Sequence, residues 1–164
     1  MSAAPDELAI VPAREGDVPL ILEFIRKLAE YERLSEEVTA NEALLREALF
    51  GARPVAKALL AYWNAEPAGF ALYFLSFSTF IGRPGIYLED LFVLPVFRGK
   101  GIGKALLCHL ARLAKQRKYA RVEWAVLAWN QPAIDFYRKL DARPMEDWTV
   151  FRLSGPALEK AAER

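Results

Sequence analysis

Three glycines within five residues are set between basic side chains in Arg98-Gly-Lys-Gly-Ile-Gly103, and Lys104 follows. Glycine has no Cβ, so backbone N–H groups in such a segment can approach a ligand closely. Where a helix begins, unpaired N–H groups and the helix dipole add partial positive charge. Arg98, Lys100 and Lys104 add full charges at the same place. That chemistry suits an anion, and a phosphate group above all. Two familiar phosphate motifs are excluded: GxxxxGK[ST] is absent, and Gly99-x-Gly101-x-Gly103 lacks the GxGxxG spacing of dinucleotide folds. A plain strand-to-helix turn needs fewer than three glycines.

The charge distribution points the same way. The net charge of +1 hides an asymmetry. Residues 1–97 hold 8 Lys/Arg against 14 Asp/Glu, and residues 98–164 hold 14 against 7. No acid occurs from Leu91 to Val122. An anion site in the second half and a cation-friendly site in the first is the functional reading. A solvated basic helix face is the plain alternative.

These residues need elements to hold them. Leu8–Val11 reads as a strand. Asp17 is a candidate cap for a helix over Val18–Arg33, whose stripe is Leu20, Ile21, Phe24, Ile25 and Leu28. Thr39-Ala-Asn-Glu42 has capping-box spacing for a helix to Phe50, with Gly51 at its end. Lys57–Trp63, a turn at Asn64-Ala-Glu-Pro67 and Gly69–Ser78 form a hairpin pattern. Arg83-Pro-Gly85 reads as a turn before a strand over Ile86–Val93. A helix over Gly103–Arg117, a strand over Val122–Leu127 and a helix capped by Asn130 follow. Thr149–Leu153 reads as a last strand, and Ser154-Gly-Pro156 opens a terminal helix. This order predicts an α/β (α+β) fold with a mixed, mostly antiparallel sheet flanked by helices, in one domain over 1–164.

Composition removes other classes. One cysteine, Cys108, cannot form an intramolecular disulfide, and with His109 as the one histidine there is no Cys/His metal site. The run Ala68–Ile81 contains Ser and Thr and is shorter than the ~20 apolar residues of a membrane span. The stretch MSAAPDELAI shows no basic n-region and no apolar h-region, so a cytoplasmic location is the expectation. The basic segment lacks interleaved aromatics, which argues against nucleic acid.

Arg98-Gly-Lys-Gly-Ile-Gly103 resembles the Q/R-x-x-G-x-G/A acetyl-CoA loop of the GNAT N-acetyltransferases. Tyr87-Leu-Glu-Asp-Leu-Phe-Val93 and Trp129-Asn-Gln-Pro-Ala-Ile-Asp-Phe-Tyr137 are similar to the diamine branch of that superfamily, the spermidine/spermine type that includes thialysine enzymes. So are Lys27-Leu-Ala-Glu-Tyr-Glu32 and Trp148-Thr-Val-Phe-Arg-Leu153. The resemblance covers nearly the whole chain. It implies a GNAT-like fold, acetyl-CoA as cosubstrate, no metal, and a homodimer. It places the cofactor pyrophosphate on Gly99, Lys100, Gly101, Ile102, Gly103 and Lys104, after Arg98. Pantetheine would lie along Leu91, Phe92 and Val93 as an added strand. Asn130, Gln131, Pro132 and Ala133 would contact the cofactor at a second helix start.

Acetyl transfer to an amine also needs proton movement. An amine of pKa about 10.4 is free base only ~0.04% of the time at pH 7. Glu89, beside the cofactor strand, is the candidate general base. Asp90 is its neighbour, and in a regular strand the two point to opposite faces. Both serve one site only if the strand bulges. Strand N–H groups after Glu89 could polarise the thioester carbonyl. The resemblance makes Tyr137 the proton donor to the leaving thiolate, with core packing beside Ile134 as the alternative. It places Tyr31, Glu32, Glu123, Trp124, Ala125, Glu146 and Trp148 with Glu89 and Asp90 around the acceptor. Acids and aromatics suit an alkylammonium chain. Glu123 stands where the spermidine/spermine type carries histidine, and the segment Asp141–Asp147 is short for that type. The acceptor that the resemblance implies is a diamine, polyamine or lysine-like amino acid. A protein N-terminal or lysine acetyltransferase, and a non-catalytic acyl-CoA-binding module, are the alternatives.

Overall fold

The computed structural model describes residues 7–164. The reading of the first residues as free of a signal sequence falls partly on residues 1–6, outside the described residues. The chain forms two compact units, Met1–Ala125 and Val126–Arg164.

The first unit is built on a five-stranded sheet in the order β1-β2-β3-β4-β5. Its strands are β1 (Leu8–Pro12), β2 (Lys57–Trp63), β3 (Glu66–Ser78), β4 (Arg83–Val93) and β5 (Val122–Trp124). All neighbours are antiparallel except β4 and β5. The expected mixed, mostly antiparallel sheet is therefore present. Helices α1 (Val18–Tyr31) and α2 (Glu42–Phe50) cover one face. Ile21, Phe24 and Leu28 of α1 and Leu49 of α2 pack there with Leu60, Phe70, Leu72 and Phe92. Phe24 and Phe70 stack at 5.5 Å between ring centroids. Helix α3 (Ile102–Gln116) buries Leu106, Leu107 and Leu110, joins none of that cluster, and packs on the other face.

Local chemistry explains where elements begin. Asn41, not Thr39, caps α2, because the Asn41 Oδ1 accepts the Leu44 N–H at 2.9 Å. Asp17 does not cap α1 with its side chain; it turns back to accept the Arg14 N–H at 2.7 Å. The β2–β3 turn needs only Asn64 and Ala65, both at positive φ, and Glu66 already pairs with Trp63. Arg83-Pro-Gly85 is not a turn but the start of β4, opposite Ser76–Ser78. The Pro84 carbonyl accepts the Ala120 N–H, and the Ile86 N–H donates to Arg121. Gly85 serves close packing, since a Cβ there would lie 2.9 Å from Ser76 Oγ.

The second unit contains α4 (Gln131–Arg138) and α5 (Gly155–Ala162). The Asn130 Oδ1 accepts the Ala133 N–H at the start of α4, and Asn130 is buried. The expected strand over Thr149–Leu153 is absent. Among the described residues of this unit there is no strand for it to pair with, and Val150 and Phe151 are almost fully exposed. No helix among the described residues is long and apolar enough to cross a membrane.

Candidate active site

The decisive local feature is a bulge in β4. Leu88 lies opposite Tyr73 on β3, yet Asp90 lies opposite Leu72, so Glu89 is an extra residue with no partner across the ladder. Opposed residues of an antiparallel pair share a face. Phe74 and Tyr87 are such a pair, with rings stacked at 5.1 Å, and Leu72 and Asp90 are the next on that face. Without the extra residue, Asp90 would follow Leu88 onto the face covered by α3. With it, Asp90 turns toward α1 beside Glu89. The two acids then line one cleft of about 380 Å³ with Glu32, Glu37, Leu34 and Thr39 among its walls.

This cleft is acidic, and two of its carboxylates are partly buried. Burial, reinforced by the neighbouring Glu89 and Glu32 charges, pushes Asp90 up to about 7 from 3.8. Burial also raises the pKa of Glu32. Tyr87 is raised by burial and by the Glu89 and Glu123 charges. Among the described lining residues none is basic.

The bulge has a second effect. Parallel pairing of β4 with β5 runs Ile86–Val122, Tyr87–Glu123 and Leu88–Trp124, and stops there. The bend at Glu89 ends it, so β5 is shorter than the expected Val122–Leu127. Beyond Leu88, one edge of β4 has no strand beside it among the described residues. The Phe92 carbonyl faces β3, where a Cβ on Gly69 would collide with it. By strand alternation the N–H and C=O groups of Leu91 and Val93 face the open edge. The Arg98 Nε, donating to the Val93 carbonyl at 3.0 Å, marks that direction.

The open edge leads into the glycine loop. β4 ends at Val93, one 3-10 turn over Pro95–Phe97 follows, and Gly101 caps α3. Gly99 and Gly101 have φ of +79° and +81°, which other L residues adopt only with strain, and a Cβ at either would point into open space. The N–H groups of Ile102, Gly103 and Lys104 form the first turn of α3, where no intrahelical acceptor exists. Residues at this loop therefore fit a pyrophosphate. Lys100 Nζ rests 4.9 Å above the Trp63 ring, which ties the loop to β2.

The remaining expected site residues are distributed over both units. Tyr31 stands beside Arg98, with the guanidinium 4.8 Å from its ring centroid. Glu123 pairs with Arg121 at 2.8 Å and is not a wall of the cleft, and Trp124 ends β5. Ala125 closes the first unit. Asn130, Gln131, Pro132, Ala133, Tyr137, Glu146 and Trp148 belong to the second unit. There Tyr137 lies on α4 with its ring 5.3 Å from that of Phe136, and Glu146 and Trp148 are exposed. Glu37 in the cleft and Trp63 under Lys100 carry no signal in the sequence. Both become visible only when distant segments meet.

Residues 21–142 match the acetyltransferase (GNAT) family. Thialysine N-epsilon-acetyltransferase of Bos taurus is 40% identical over 161 residues, covering 92% of this chain and 94% of its own. The L-ornithine N5-acetyltransferase of Arabidopsis thaliana is 29% identical over 90% of this chain and 84% of its own. An integron cassette protein from the mobile metagenome of V. cholerae has a similar structure. Its TM-score is 0.79 at 28% identity, over 96% of this chain and 98% of that one.

Proposed function

The chain belongs to the GNAT acetyltransferase family, and on that premise we propose that it transfers an acetyl group from acetyl-CoA to a primary amine of a small cationic acceptor, by direct attack in a ternary complex. Its relatives along most of the chain are N-acetyltransferases of small amines, which makes this chain an N-acetyltransferase. The observation that carries the finer reading is the β4 bulge. It gathers Glu32, Glu89 and Asp90 in one cleft and opens the strand edge that ends at the glycine loop.

Bound acetyl-CoA supplies the activated acyl group as a thioester. The backbone from Gly99 to Lys104 would hold its pyrophosphate, and Leu91, Phe92 and Val93 its pantetheine. Asn130, Gln131, Pro132 and Ala133 complete the contacts implied by the resemblance. The family match over residues 21–142 supports the reading of the chain as a single N-acetyltransferase domain over 1–164.

The acceptor must lose a proton. A carboxylate of ordinary pKa is about 6.5 units below an ammonium of 10.4, or roughly 9 kcal/mol uphill. For a group near 7 the gap is about 3.4 units, or roughly 4.6 kcal/mol. Asp90 is thus the better matched member of the Glu89–Asp90 pair, and Glu89 supplies charge that raises it and attracts the cation. The Leu91 N–H, on the open edge, is set to polarise the thioester carbonyl. Tyr137 is assigned the proton for the leaving thiolate. Tyr137→Phe should lower kcat by roughly 10–1000-fold and change KM little. Wild-type kcat in that variant returns Tyr137 to a packing role.

The acceptor should be a flexible primary amine with a second polar or charged group several bonds away. The relatives' names include thialysine and L-ornithine, and the cleft is lined by four carboxylates. A cation meeting partly desolvated acids gains more than it does in water. The test is a paired kinetic series of α,ω-diamines, lysine analogues and n-alkylamines with acetyl-CoA at several salt concentrations. Glu32→Gln should raise KM for the dicationic and lysine-like acceptors about tenfold and spare the alkylamines. Equal kcat/KM across all three sets, unmoved by Glu32→Gln, would remove cation recognition. Turnover of peptides alone would favour a protein acetyltransferase.

A further inference from the structure

We propose that Arg98 is a positioning residue that joins the phosphate loop to the wall of the acceptor cleft, and that its guanidinium does not serve as a phosphate ligand. The inference rests on the acetyl-CoA reading above. Arg98 opens the glycine loop, and loop position alone would send its charge to the pyrophosphate. The structure shows it folded the other way. Its Cζ lies 4.8 Å from the Tyr31 ring centroid and 5.5 Å from that of Phe92, and its Nε donates to the Val93 carbonyl at 3.0 Å.

Each partner belongs to a different part of the site. Tyr31 is the last residue of α1, and Glu32, next in the chain, lines the acidic cleft. Phe92 is buried in the core beneath α1. Val93 ends the open edge of β4, and its carbonyl keeps a second lone pair for another donor. A guanidinium is planar, presents donors in a rigid fork and stacks on aromatic rings, which an ammonium cannot reproduce. Arg98 therefore fixes the Tyr31 ring against the cofactor edge. Through the adjoining backbone it fixes the height of the Glu32 carboxylate in the cleft. The loop's phosphate charge is left to Lys104 and to Lys100, now parked on Trp63.

The experiment measures acetyl-CoA Kd by calorimetry and acceptor KM by steady-state kinetics for wild type, Arg98→Ala, Arg98→Lys, Tyr31→Leu and Arg98→Ala/Tyr31→Leu. Melting curves run alongside, and Arg98→Lys keeps the test open if the Ala variant unfolds. The expected result is an acceptor KM raised about tenfold by Arg98→Ala and by Tyr31→Leu, with the double variant no worse than either. Arg98→Lys should recover only part of it, and acetyl-CoA Kd should stay within about threefold throughout. A phosphate role predicts the opposite: a Kd at least tenfold weaker in Arg98→Ala, restored by lysine, with acceptor KM spared. That outcome, or KM effects that multiply in the double variant, overturns the proposal. Wild-type turnover on the amine series is the control. Its absence would sink the acetyltransferase reading itself, whereas normal turnover with multiplying effects sinks only the role of Arg98.

Discussion

Asp90→Asn is expected to lower kcat/KM by about a hundred- to ten-thousandfold while making the protein more stable above pH 7. The activity loss would follow from removing the proposed base, whose pKa of about 7 lies nearer that of the acceptor ammonium than an ordinary carboxylate's does. The asparagine keeps the shape and loses the proton acceptor. The wild-type rate should climb with pH through about 7, and the variant should lose that limb.

The stability gain has the same cause. Burial first, and the Glu89 and Glu32 charges second, hold Asp90 neutral in the fold up to about pH 7, whereas the unfolded chain releases that proton near 3.8. Between those values the folded state binds more protons, so stability falls as pH rises. The favourable contribution is full below about pH 4 and is gone above about pH 7. A shift of about three units corresponds to at most ~4 kcal/mol. Asparagine carries no such penalty, so the variant should gain a few kcal/mol at pH 8, or several degrees in Tm, and nothing near pH 4. Urea melts of both proteins at pH 4, 5.5 and 8 measure this. Parallel stability curves would show that Asp90 is not strained by its surroundings, and the base assignment would fall with them.

The second large effect belongs to the glycine loop. Gly101→Glu should weaken acetyl-CoA binding by more than a hundredfold. Gly101 caps α3 at φ +81°, where a side chain costs ~1–2 kcal/mol of strain, and a Cβ there would stand in open space beside the first turn of the helix. A glutamate there fills the approach of a phosphate and repels it. For the wild type, acetyl-CoA at 100 times Kd should add about 2.7 kcal/mol of stability by mass action. At that concentration the variant should gain less than about 0.4 kcal/mol, leaving its melting temperature nearly unmoved. Gly101→Asn is the control for strain, because asparagine tolerates a left-handed backbone and adds no charge. An unmoved wild-type melting curve would remove the phosphate reading of the loop.

The order of elements, the helix stripes and the glycine loop were legible because each is written in adjacent residues. Ile21, Phe24 and Leu28 repeat at helical spacing, and that period alone buries them. Gly99 and Gly101 could be read as an anion loop from residue type alone, and the structure shows why they are glycines. Capping and turn positions slipped by one to three residues, as at Thr39 against Asn41, because several local hydrogen bonds compete for the same N–H groups. The isolated strand over Thr149–Leu153 looked sound by composition, yet a strand exists only when a partner accepts its hydrogen bonds.

The acid pair marks the boundary most clearly. Glu89 and Asp90 announce charge beside the cofactor strand, but their alternation in sequence sends them to opposite faces. Only the pairing of β4 with β3 decides otherwise, because a register shift between Leu72 and Tyr73 on β3 is a relation between two segments. The same is true of Glu37 facing Asp90's cleft and of Arg98 lying on Tyr31, residues 67 positions apart along the chain. The sequence determined the chemistry on offer: an anion loop, acids, aromatics and the strands and helices to carry them. The tertiary structure decided which of those groups share a cleft and at what pKa, since both burial and charge proximity are set by contacts between elements distant along the chain.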